Sequence, residues 1–413
     1  MHVSTMRYAD RWLGVPVCIL LTLIRYLWRC CRRPVGPSPR RIIFIKLAEQ
    51  GSTVLAASAI RRAVELVGRS NVFFLVLAQN RAILDVMDLI PPGQVITIGD
   101  RGLADVLTSA IAAIRRIRNL NVDTAIDLEF FARSTAALSY LVGAGRRVGF
   151  HAFRGEGPYR GDLMTHRLRF NSHLPTAQMF RLMAEAMLQP ADRLPTFPMQ
   201  PITDLGPPIR ITPNATETEE VRSLVRTASG RESCEPLILL NPNCSDRLPL
   251  RRWPGEHYVE LAQRMLDRYP QANVAMTGDS LEQGAVADLV NVVGSDRCFS
   301  LAGRTDLRQL LVVFELAELL VTNDSGPAHF GALTGIDVVV LFGPESPHLF
   351  APPTPRLHVF WQSISCSPCV SALNNRISTC HDNICMQQIS VASVFEKTCR
   401  IYEARMGIGC KAE

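Results

Sequence analysis

The feature that most constrains the fold is the segment at residues 319–332, where an apolar run ends in a small polar turn that leads directly into a helical segment. Asp324 and Ser325 can cap such a helix, and Gly326 allows a ligand to approach the backbone. Free backbone N–H groups and the positive end of the helix dipole bind anions at turns of this kind. A second apolar run at 337–342 then ends in a glycine turn. The pattern predicts a strand–phosphate loop–helix–strand unit, with an ordinary capped helix as the alternative.

The same alternation of strands and helices runs along the chain. Apolar, β-branched runs predict strands at 41–47, 71–78, 94–98, 122–128, 146–150, 237–240 and 272–277. Helical spacing of apolar residues predicts helices at 53–67, 108–118, 253–268, 281–292, 307–318 and 391–405. Residues 190–208 are rich in proline and lack periodicity, which is typical of a linker. We therefore predict an α/β fold with two Rossmann-like, doubly wound domains.

Composition narrows the classes of protein to consider. The chain has 413 residues, of which 47% are hydrophobic and 20% charged, so it is long enough for two globular domains. Its net charge of +6 suits an anionic partner such as a nucleotide, a lipid headgroup or a membrane surface. No basic stretch is interleaved with aromatic residues, so nucleic acid is not an expected partner. Twelve cysteines in a chain of this size do not indicate a small secreted disulfide framework.

Residues 12–28 are apolar except for Thr22 and Arg25, and the arginines of the flank follow at positions 29, 32, 33, 40 and 41. This segment predicts a short membrane anchor with Arg25 snorkelling, an interfacial amphipathic helix, or a cleaved signal peptide. A signal peptide fits worst because the positive charge lies after the apolar run and no small-residue cleavage site follows it. We expect a protein attached to the cytoplasmic face of the inner membrane, with a soluble core helix as the alternative.

The run 323–329, followed by 340–344, resembles the signature of the lipopolysaccharide heptosyltransferase family (glycosyltransferase family 9), and the resemblance extends from about Arg41 to about Val394. It implies the GT-B architecture, in which two Rossmann-like domains face a cleft. It also implies inverting, metal-independent transfer of a heptose-like sugar from a nucleotide-diphosphate donor, such as ADP-heptose, to a lipid-linked surface glycan such as a lipopolysaccharide core.

The expected organisation has five parts. They are a membrane anchor or interfacial helix with its linker at 1–36, an N-terminal acceptor domain at 37–190, a proline-rich linker at 191–210, a C-terminal nucleotide-sugar domain at 211–390 and a terminal helix at 391–413.

The chain departs from the family pattern at the first βα loop. The family has a Gly-Asp pair here whose aspartate is the presumed base, whereas this chain has Gly51 and Ser52. A serine hydroxyl cannot act as a base unaided at neutral pH. Glu49 and Ser52 are therefore the predicted catalytic residues, with Glu49 in the base role. The alternatives are Asp127 or Glu129 as the base, with Glu49 a solvated loop or helix-cap residue.

The resemblance assigns nucleotide-sugar binding to seven positions: Ser245, Arg251, Glu282, Asp324, Ser325, Gly326 and His329. Arg251 replaces a lysine of the family and keeps a cation for the diphosphate. A carboxylate at the end of a Rossmann strand binds ribose hydroxyls, a role predicted for Glu282 with Asp279 as its rival. Alternatively, Arg251 is a surface charge, Glu282 caps a helix and His329 packs under its loop.

Four cysteines form the spacing Cys-x2-Cys-x10-Cys-x4-Cys: Cys366, Cys369, Cys380 and Cys385. This spacing is compatible with a structural zinc ion or an iron–sulfur cluster, with two disulfides, or with plain thiols. No cofactor is expected for catalysis.

Two other classes of function stay open. The first is an inactive sugar-nucleotide-binding or scaffold protein of the same fold, and the second is a metal or redox protein built on the cysteines. A nicotinamide dehydrogenase fits less well, because no Gly-x-Gly-x-x-Gly follows the first strand.

Overall fold

The computed structural model describes residues 10–27, 36, 38–155, 157–191, 200–245 and 248–408. The chain divides into two compact units, Met1–Pro207 with Ser371–Ile377, and Pro208–Val370 with Ser378–Glu413. Parts of the predicted anchor and linker, at 28–35 and 192–199, lie outside the described residues.

The first unit is built on a six-stranded parallel sheet with the strand order β3-β2-β1-β4-β5-β6. Its strands are β1 (Ile42–Ile45), β2 (Val72–Leu77), β3 (Val95–Ile98), β4 (Thr124–Asp127), β5 (Arg146–Phe150) and β6 (His166–Leu168). Its helices are α1 (Gly14–Leu27), α2 (Gln50–Val54), α3 (Ala57–Val67), α4 (Ala82–Met87), α5 (Leu103–Asn119), α6 (Arg133–Leu141) and α7 (Thr176–Ala186).

The second unit repeats this plan with the strand order β12-β11-β10-β7-β8-β9. Its strands are β7 (Leu237–Asn241), β8 (Asn273–Met276), β9 (Cys298–Ser300), β10 (Leu319–Asn323), β11 (Asp337–Phe342) and β12 (Leu357–Trp361). Its helices are α8 (Ala215–Ser229), α9 (Gly255–Arg268), α10 (Gln283–Val293), α11 (Leu307–Leu316), α12 (Gly326–Gly331), α13 (Pro347–Phe350), α14 (Ile384–Gln387) and α15 (Val391–Met406).

The central strands of both sheets are largely apolar because helices cover both faces. Every residue of β1 is buried, and so is every residue of β10. Strands in this position cannot alternate between core and solvent, which explains their continuous runs of Ile, Val, Leu and Phe.

The predicted class, an α/β fold of two Rossmann-like units, is confirmed by these two sheets. The helix predicted at 53–67 is in fact two helices, α2 and α3. The break falls where the backbone N–H of Ala56 bonds to the carbonyl of Thr53, a tight i to i+3 turn that ends the shorter helix. The helix predicted at 108–118 begins earlier, at Leu103, after Gly102.

Helix α1 has 14 residues and is apolar, but none of the described helices combines the length and hydropathy needed to cross a bilayer.

Candidate active site

The loops that follow β1 and β4 lie side by side at the carboxyl edge of the first sheet, because Ile45 pairs with Asp127 in the parallel register. Glu49 follows β1 with a φ of 68°, a left-handed conformation that is uncommon for a non-glycine residue. Ser52 donates its hydroxyl proton to the Glu49 carbonyl at 3.0 Å, and its Oγ lies 3.4 Å from Glu49 Oε2. The two predicted catalytic residues are therefore in contact.

The carboxylate of Glu49 forms an ion pair with the guanidinium of Arg376. Arg376 lies 327 positions further along the chain, in the segment Ser371–Ile377 that clusters with the first unit. The Glu49 side chain is 26% exposed, so its carboxylate reaches solvent at the edge of the sheet. Glu49 stands at the N-cap of α2, but its side chain makes no capping hydrogen bond and pairs with Arg376 instead, so it is neither the solvated loop residue nor the side-chain cap of the alternative interpretation.

Glu129 occupies the neighbouring loop, and its carboxylate has two neighbours within the first unit. Lys46 Nζ donates to Glu129 Oε2 at 3.2 Å, and the backbone N–H of Ala48 donates to Oε1 at 2.9 Å. The Lys46 side chain is fully buried, so Glu129 balances its charge. The pair ties the loop after β4 to the loop that carries Glu49.

Asp127 is completely buried and forms an ion pair with Arg160, whose side chain is also buried. Its Oδ1 accepts a hydrogen bond from the backbone N–H of Glu129 at 3.0 Å. Burial raises the pKa of Asp127 to about 6, although the charge of Arg160 opposes this shift. Because solvent does not reach Asp127, this carboxylate supports the structure of the loop, and the geometry favours Glu49 over it as a base.

In the second unit, β10 lies between β7 and β11, so the loops after these three strands meet at one edge of the sheet. Arg251 comes from the loop after β7, Asp324 follows β10 and Glu345 follows β11. Arg251 Nη1 lies 3.4 Å from Glu345 Oε2 and 3.9 Å from Asp324 Oδ2. The two carboxylates are 1% and 4% exposed, and the Arg251 side chain is 12% exposed. Arg251 is therefore held in the edge of the sheet, which corrects the reading of it as a free surface charge.

Asn323, the last residue of β10, holds these loops together through hydrogen bonds made by its buried amide. Its Oδ1 accepts from Trp253 N at 3.0 Å and from the Tyr258 hydroxyl at 3.1 Å. Its Nδ2 donates to the carbonyls of Pro242 at 3.0 Å and Asn243 at 3.2 Å. The Asn323 side chain thus holds both ends of the loop that follows β7: the start at Pro242 and Asn243, and the end at Trp253, close to Arg251.

The turn after β10 is built largely as expected. Ser325 stands at the N-cap of α12, but its side chain makes no capping hydrogen bond, so the predicted cap role is wrong for Ser325. A Cβ at Gly326 would lie 3.1 Å from the ring of Phe330, so a side chain would crowd the turn. His329 is buried within α12, which agrees with the packing interpretation of this residue.

The predicted ribose carboxylates lie after β8. Glu282 Oε2 accepts from the backbone N–H of Asp279 at 2.8 Å, while Asp279 Oδ1 accepts from the N–H groups of Leu281 and Glu282 at 2.8 and 3.1 Å. These reciprocal bonds organise the turn before α10. Glu282 stands at the N-cap of this helix, but its side chain makes no capping hydrogen bond, so the capping alternative is not borne out either. A Cβ at Gly278 would lie 2.8 Å from Asn243 Nδ2, so the β8 loop closely approaches the β7 loop. Ser245 lies exposed in that β7 loop, and its role in donor binding stays a prediction.

In the described part of the chain, no disulfide joins the four cysteines of the predicted metal site. Cys380 Sγ donates to the carbonyl of Asp382 at 3.0 Å, and Cys369 Sγ lies 3.3 Å from Ser378 Oγ. Burial raises the pKa of the Cys385 thiol to about 11, and the charges of Cys369, Cys380 and Cys366 act in the same direction. Within the described ranges, no three His, Cys, Asp or Glu side chains are grouped to hold a metal ion. The zinc or iron–sulfur prediction is therefore not supported, and neither is the disulfide alternative.

Sequence reasoning missed four residues that complete these sites: Lys46, Arg160, Glu345 and Arg376. Lys46 follows four apolar residues within the predicted strand, and a charge in such a run is a signal of a buried ion pair. The other three lie in loops that are distant in sequence from the residues they contact, and no local sequence pattern indicates which residues those are.

Two doubly wound units with polar residues at the carboxyl edges of their sheets define the nucleotide-binding α/β class of GT-B proteins. The family model described as glycosyltransferase family 9 (heptosyltransferase) matches residues 110–377 of the chain. The chain therefore belongs to glycosyltransferase family 9, the heptosyltransferases.

Curated relatives agree with this assignment. The chain is 32% identical over 158 residues to lipopolysaccharide heptosyltransferase 2 of Salmonella typhimurium, covering 38% of this chain and 44% of that protein. It is 30% identical over 111 residues to lipooligosaccharide heptosyltransferase 2 of Haemophilus influenzae, covering 25% of this chain and 30% of that protein. The matched stretches span less than half the length of these relatives.

Solved structures extend the similarity of fold to most of the chain. The ADP-heptose lipopolysaccharide heptosyltransferase II of E. coli aligns with a TM-score of 0.66 at 20% identity, covering 89% of this chain and 99% of that chain. A family 9 glycosyl transferase from Veillonella parvula aligns with a TM-score of 0.67 at 18% identity, covering 89% and 98%.

Proposed function

We propose that this protein is an inverting, metal-independent glycosyltransferase. It transfers a heptose-like sugar from a nucleotide-diphosphate donor to a hydroxyl of a lipid-linked surface glycan, at the cytoplasmic face of the inner membrane. Membership of family 9 supports the reaction class, and the names of the relatives make ADP-heptose the first donor to test. The observation that carries the proposal is the cluster of Arg251, Asp324 and Glu345, in which two buried carboxylates hold an arginine side chain where three strands end.

The second unit would bind the donor. A guanidinium presents a planar set of N–H donors that suits two phosphate oxygens at once. Arg251 is already oriented by the carboxylates of Asp324 and Glu345, so little side-chain freedom is lost when a diphosphate binds. Negative charge grows on the diphosphate as the bond to the sugar breaks, and Arg251 stabilises that charge.

The first unit would bind the acceptor and supply the base. Glu49 is the preferred carboxylate because its side chain is 26% exposed, whereas that of Glu129 is 12% exposed and that of Asp127 is fully buried. The adjacent guanidinium of Arg376 holds the Glu49 carboxylate in place at the edge of the sheet. The hydroxyl of Ser52, in contact with Glu49, helps to orient it.

The reaction proceeds as a single displacement at the anomeric carbon of the donor. The Glu49 carboxylate takes the proton of the acceptor hydroxyl while the hydroxyl oxygen forms a bond to the anomeric carbon. The bond from that carbon to the donor diphosphate breaks on the opposite side, which inverts the configuration. The nucleoside diphosphate leaves with the electron pair of the broken bond.

A second candidate is a protein that binds a sugar nucleotide without turning it over. The observation in its favour is Ser52, which stands where the family has the carboxylate of its presumed base. In that case the pair of Glu49 and Arg376 would only stabilise the loop.

Donor turnover by the purified full chain tests these alternatives. ADP-heptose and other nucleotide-sugars are offered with an extract of lipid-linked glycans, and release of nucleoside diphosphate is measured. We expect release by the wild type and a loss of about 100-fold or more in Glu49→Gln, the range typical of a general base. Glu65→Gln is the matched control, because Glu65 lies on an exposed helix surface of the same unit.

Three results would change the proposal. Release that survives in Glu49→Gln would reject Glu49 as the base but retain the transferase. No release from any donor, with ADP still bound, would favour the non-catalytic candidate. Loss of activity in Glu65→Gln as well would show that the assay reports stability rather than chemistry.

A further inference from the structure

Helix α1 contacts the first unit through one narrow face. Cys18 and Leu21 are its buried residues, and they pack in a small apolar cluster that includes Ala136 of α6 and the loop residues Leu163 and Met164. The remaining circumference of the helix is turned away from this cluster.

The outward face of α1 is apolar. Five aliphatic side chains of the helix are between 42% and 79% exposed: Val17, Ile19, Leu20, Leu23 and Leu27. At 100° per residue they cover one continuous arc of about 160°, opposite Cys18. A patch of this kind on a water-exposed surface marks an interaction site.

The charged side chain of α1 points the other way. Arg25 forms an ion pair with Asp162 at 2.5 Å, and Tyr26 donates its hydroxyl proton to the same carboxylate at 2.9 Å. Although burial pushes the pKa of Asp162 upward, these hydrogen bonds outweigh it and lower the pKa. The helix thus turns its charge toward the protein and its apolar side chains toward the outside, the reverse of an ordinary surface helix.

The attachment is specific and fixes the orientation of the outward face. Thr22 Oγ1 accepts from the backbone N–H of Asp162 at 3.0 Å. Gly161 has a φ of 73°, and a Cβ there would lie 2.8 Å from Thr22 Oγ1 and 2.9 Å from the carbonyl of Cys18. Just before the helix, Asp10 accepts from the N–H groups of Arg133 and Ser134 at the start of α6, at 3.2 and 2.7 Å.

The charge of the flanking sequence indicates what binds the apolar face of α1. Arginines follow the helix at positions 29, 32, 33, 40 and 41, and those at 40 and 41 are exposed in the structure. An apolar helix face beside a basic segment suits a surface of acidic lipid, where apolar side chains enter the boundary and arginines meet phosphates. A second copy of the chain would instead bring two basic segments together, which is unfavourable.

We propose that α1 attaches the first unit to an acidic lipid surface, lying in the plane of the interface with its apolar face in the headgroup–acyl boundary. The helix is about 21 Å long, shorter than the roughly 30 Å of a bilayer core, and it is docked on the protein along its length. Both facts favour lying on the membrane over spanning it. This proposal is independent of the transfer reaction, since it concerns binding to lipid alone.

Vesicle flotation of the full-length protein tests the proposal. Vesicles of phosphatidylcholine alone are compared with vesicles that also contain phosphatidylglycerol, for the wild type and for Leu20→Glu with Leu27→Glu. We expect the wild type to float with the acidic vesicles, and the variant to bind them at least about tenfold more weakly per leucine replaced. Leu281→Glu is the matched control, because Leu281 is 93% exposed in the second unit and lies outside the proposed surface.

The outcomes of this experiment distinguish a lipid surface from a second copy of the chain. Equal binding by the wild type and the double variant would overturn the proposal, as would equal binding to neutral and acidic vesicles. A wild type that stays unbound but sediments as a dimer, with the double variant a monomer, would replace the lipid surface by a second copy. The exposed positions of Leu20 and Leu27 predict unchanged thermal unfolding of the variant, so weaker binding reports the surface itself.

Discussion

Arg251 offers the sharpest test of the donor site, because its replacement by methionine removes a positive charge from beside two buried carboxylates. Methionine keeps most of the aliphatic stem and therefore most of the packing. Asp324 and Glu345 then remain close to each other at the edge of the second sheet, without the guanidinium that lies 3.9 and 3.4 Å from them.

The expected cost follows from burial. Removing one partner of a buried ion pair costs about 3–5 kcal/mol, and the 12% exposure of Arg251 places this case near the lower end, at about 3 kcal/mol. In a unit of this size 1 kcal/mol shifts the melting temperature by about 2–4 °C, so we expect the second unit to melt roughly 6–12 °C lower. Loss of charge-assisted hydrogen bonds to the diphosphate should also weaken ADP binding by about 10–100-fold.

Differential scanning calorimetry and titration with ADP measure the two effects separately. Adding Glu345→Gln to Arg251→Met removes one of the two carboxylates and should restore part of the lost melting temperature. It should not restore ADP binding, because the cation is still absent. Arg251→Lys retains the charge and should lie between the wild type and Arg251→Met in both measurements.

An unchanged melting temperature in Arg251→Met, with no effect of adding Glu345→Gln, would refute the ion-pair reasoning. Unchanged ADP affinity in a folded Arg251→Met protein would refute the donor role of Arg251, whatever its effect on stability.

Two further predictions concern residues that position the sites. Asn323→Ala removes an amide that bonds Trp253 and three other groups, so we expect the second unit to lose about 2–4 kcal/mol of stability, measured by urea unfolding. We also expect a raised donor KM, measured by donor titration. An unchanged KM would show that the loops do not depend on Asn323. Because burial raises the pKa of Asp127 to about 6, above its unfolded value near 3.9, the folded state binds this proton more tightly. This contribution to stability is fully present below about pH 4 and is lost as the pH rises through 6, by roughly 3 kcal/mol. Urea unfolding across this range should show the decline in the wild type but not in Asp127→Asn, and parallel curves would contradict it.

Much of the fold was predictable because its signals are local. Continuous apolar runs such as those of β1 and β10 identify buried parallel strands, and the polar turns that follow them mark the carboxyl edge where ligands bind. The resemblance around Asp324 and Gly326 led to the family that the comparisons then showed. Helix boundaries were less predictable, as the break between α2 and α3 shows, because a single tight backbone hydrogen bond at Ala56 decides it.

The metal site considered at the four cysteines is not supported by the described part of the structure. Spacing alone permits a ligand set, but ligation requires thiolates that converge on one point. Among the described residues no three potential ligands are grouped to hold an ion, and Cys380 donates to a carbonyl close to it in sequence. Neither property can be read from spacing.

The sequence by itself determined the two α/β units, the family and the positions where each strand ends in polar residues, because periodicity and turn chemistry act over a few residues. Only the tertiary structure decided which distant side chains meet: Glu49 with Arg376 across 327 positions, and Arg251 with Glu345 across 94. Such pairs depend on the order of strands in each sheet and on how the loops after them are anchored. Those are properties of the whole packed unit, so no short stretch of sequence encodes them.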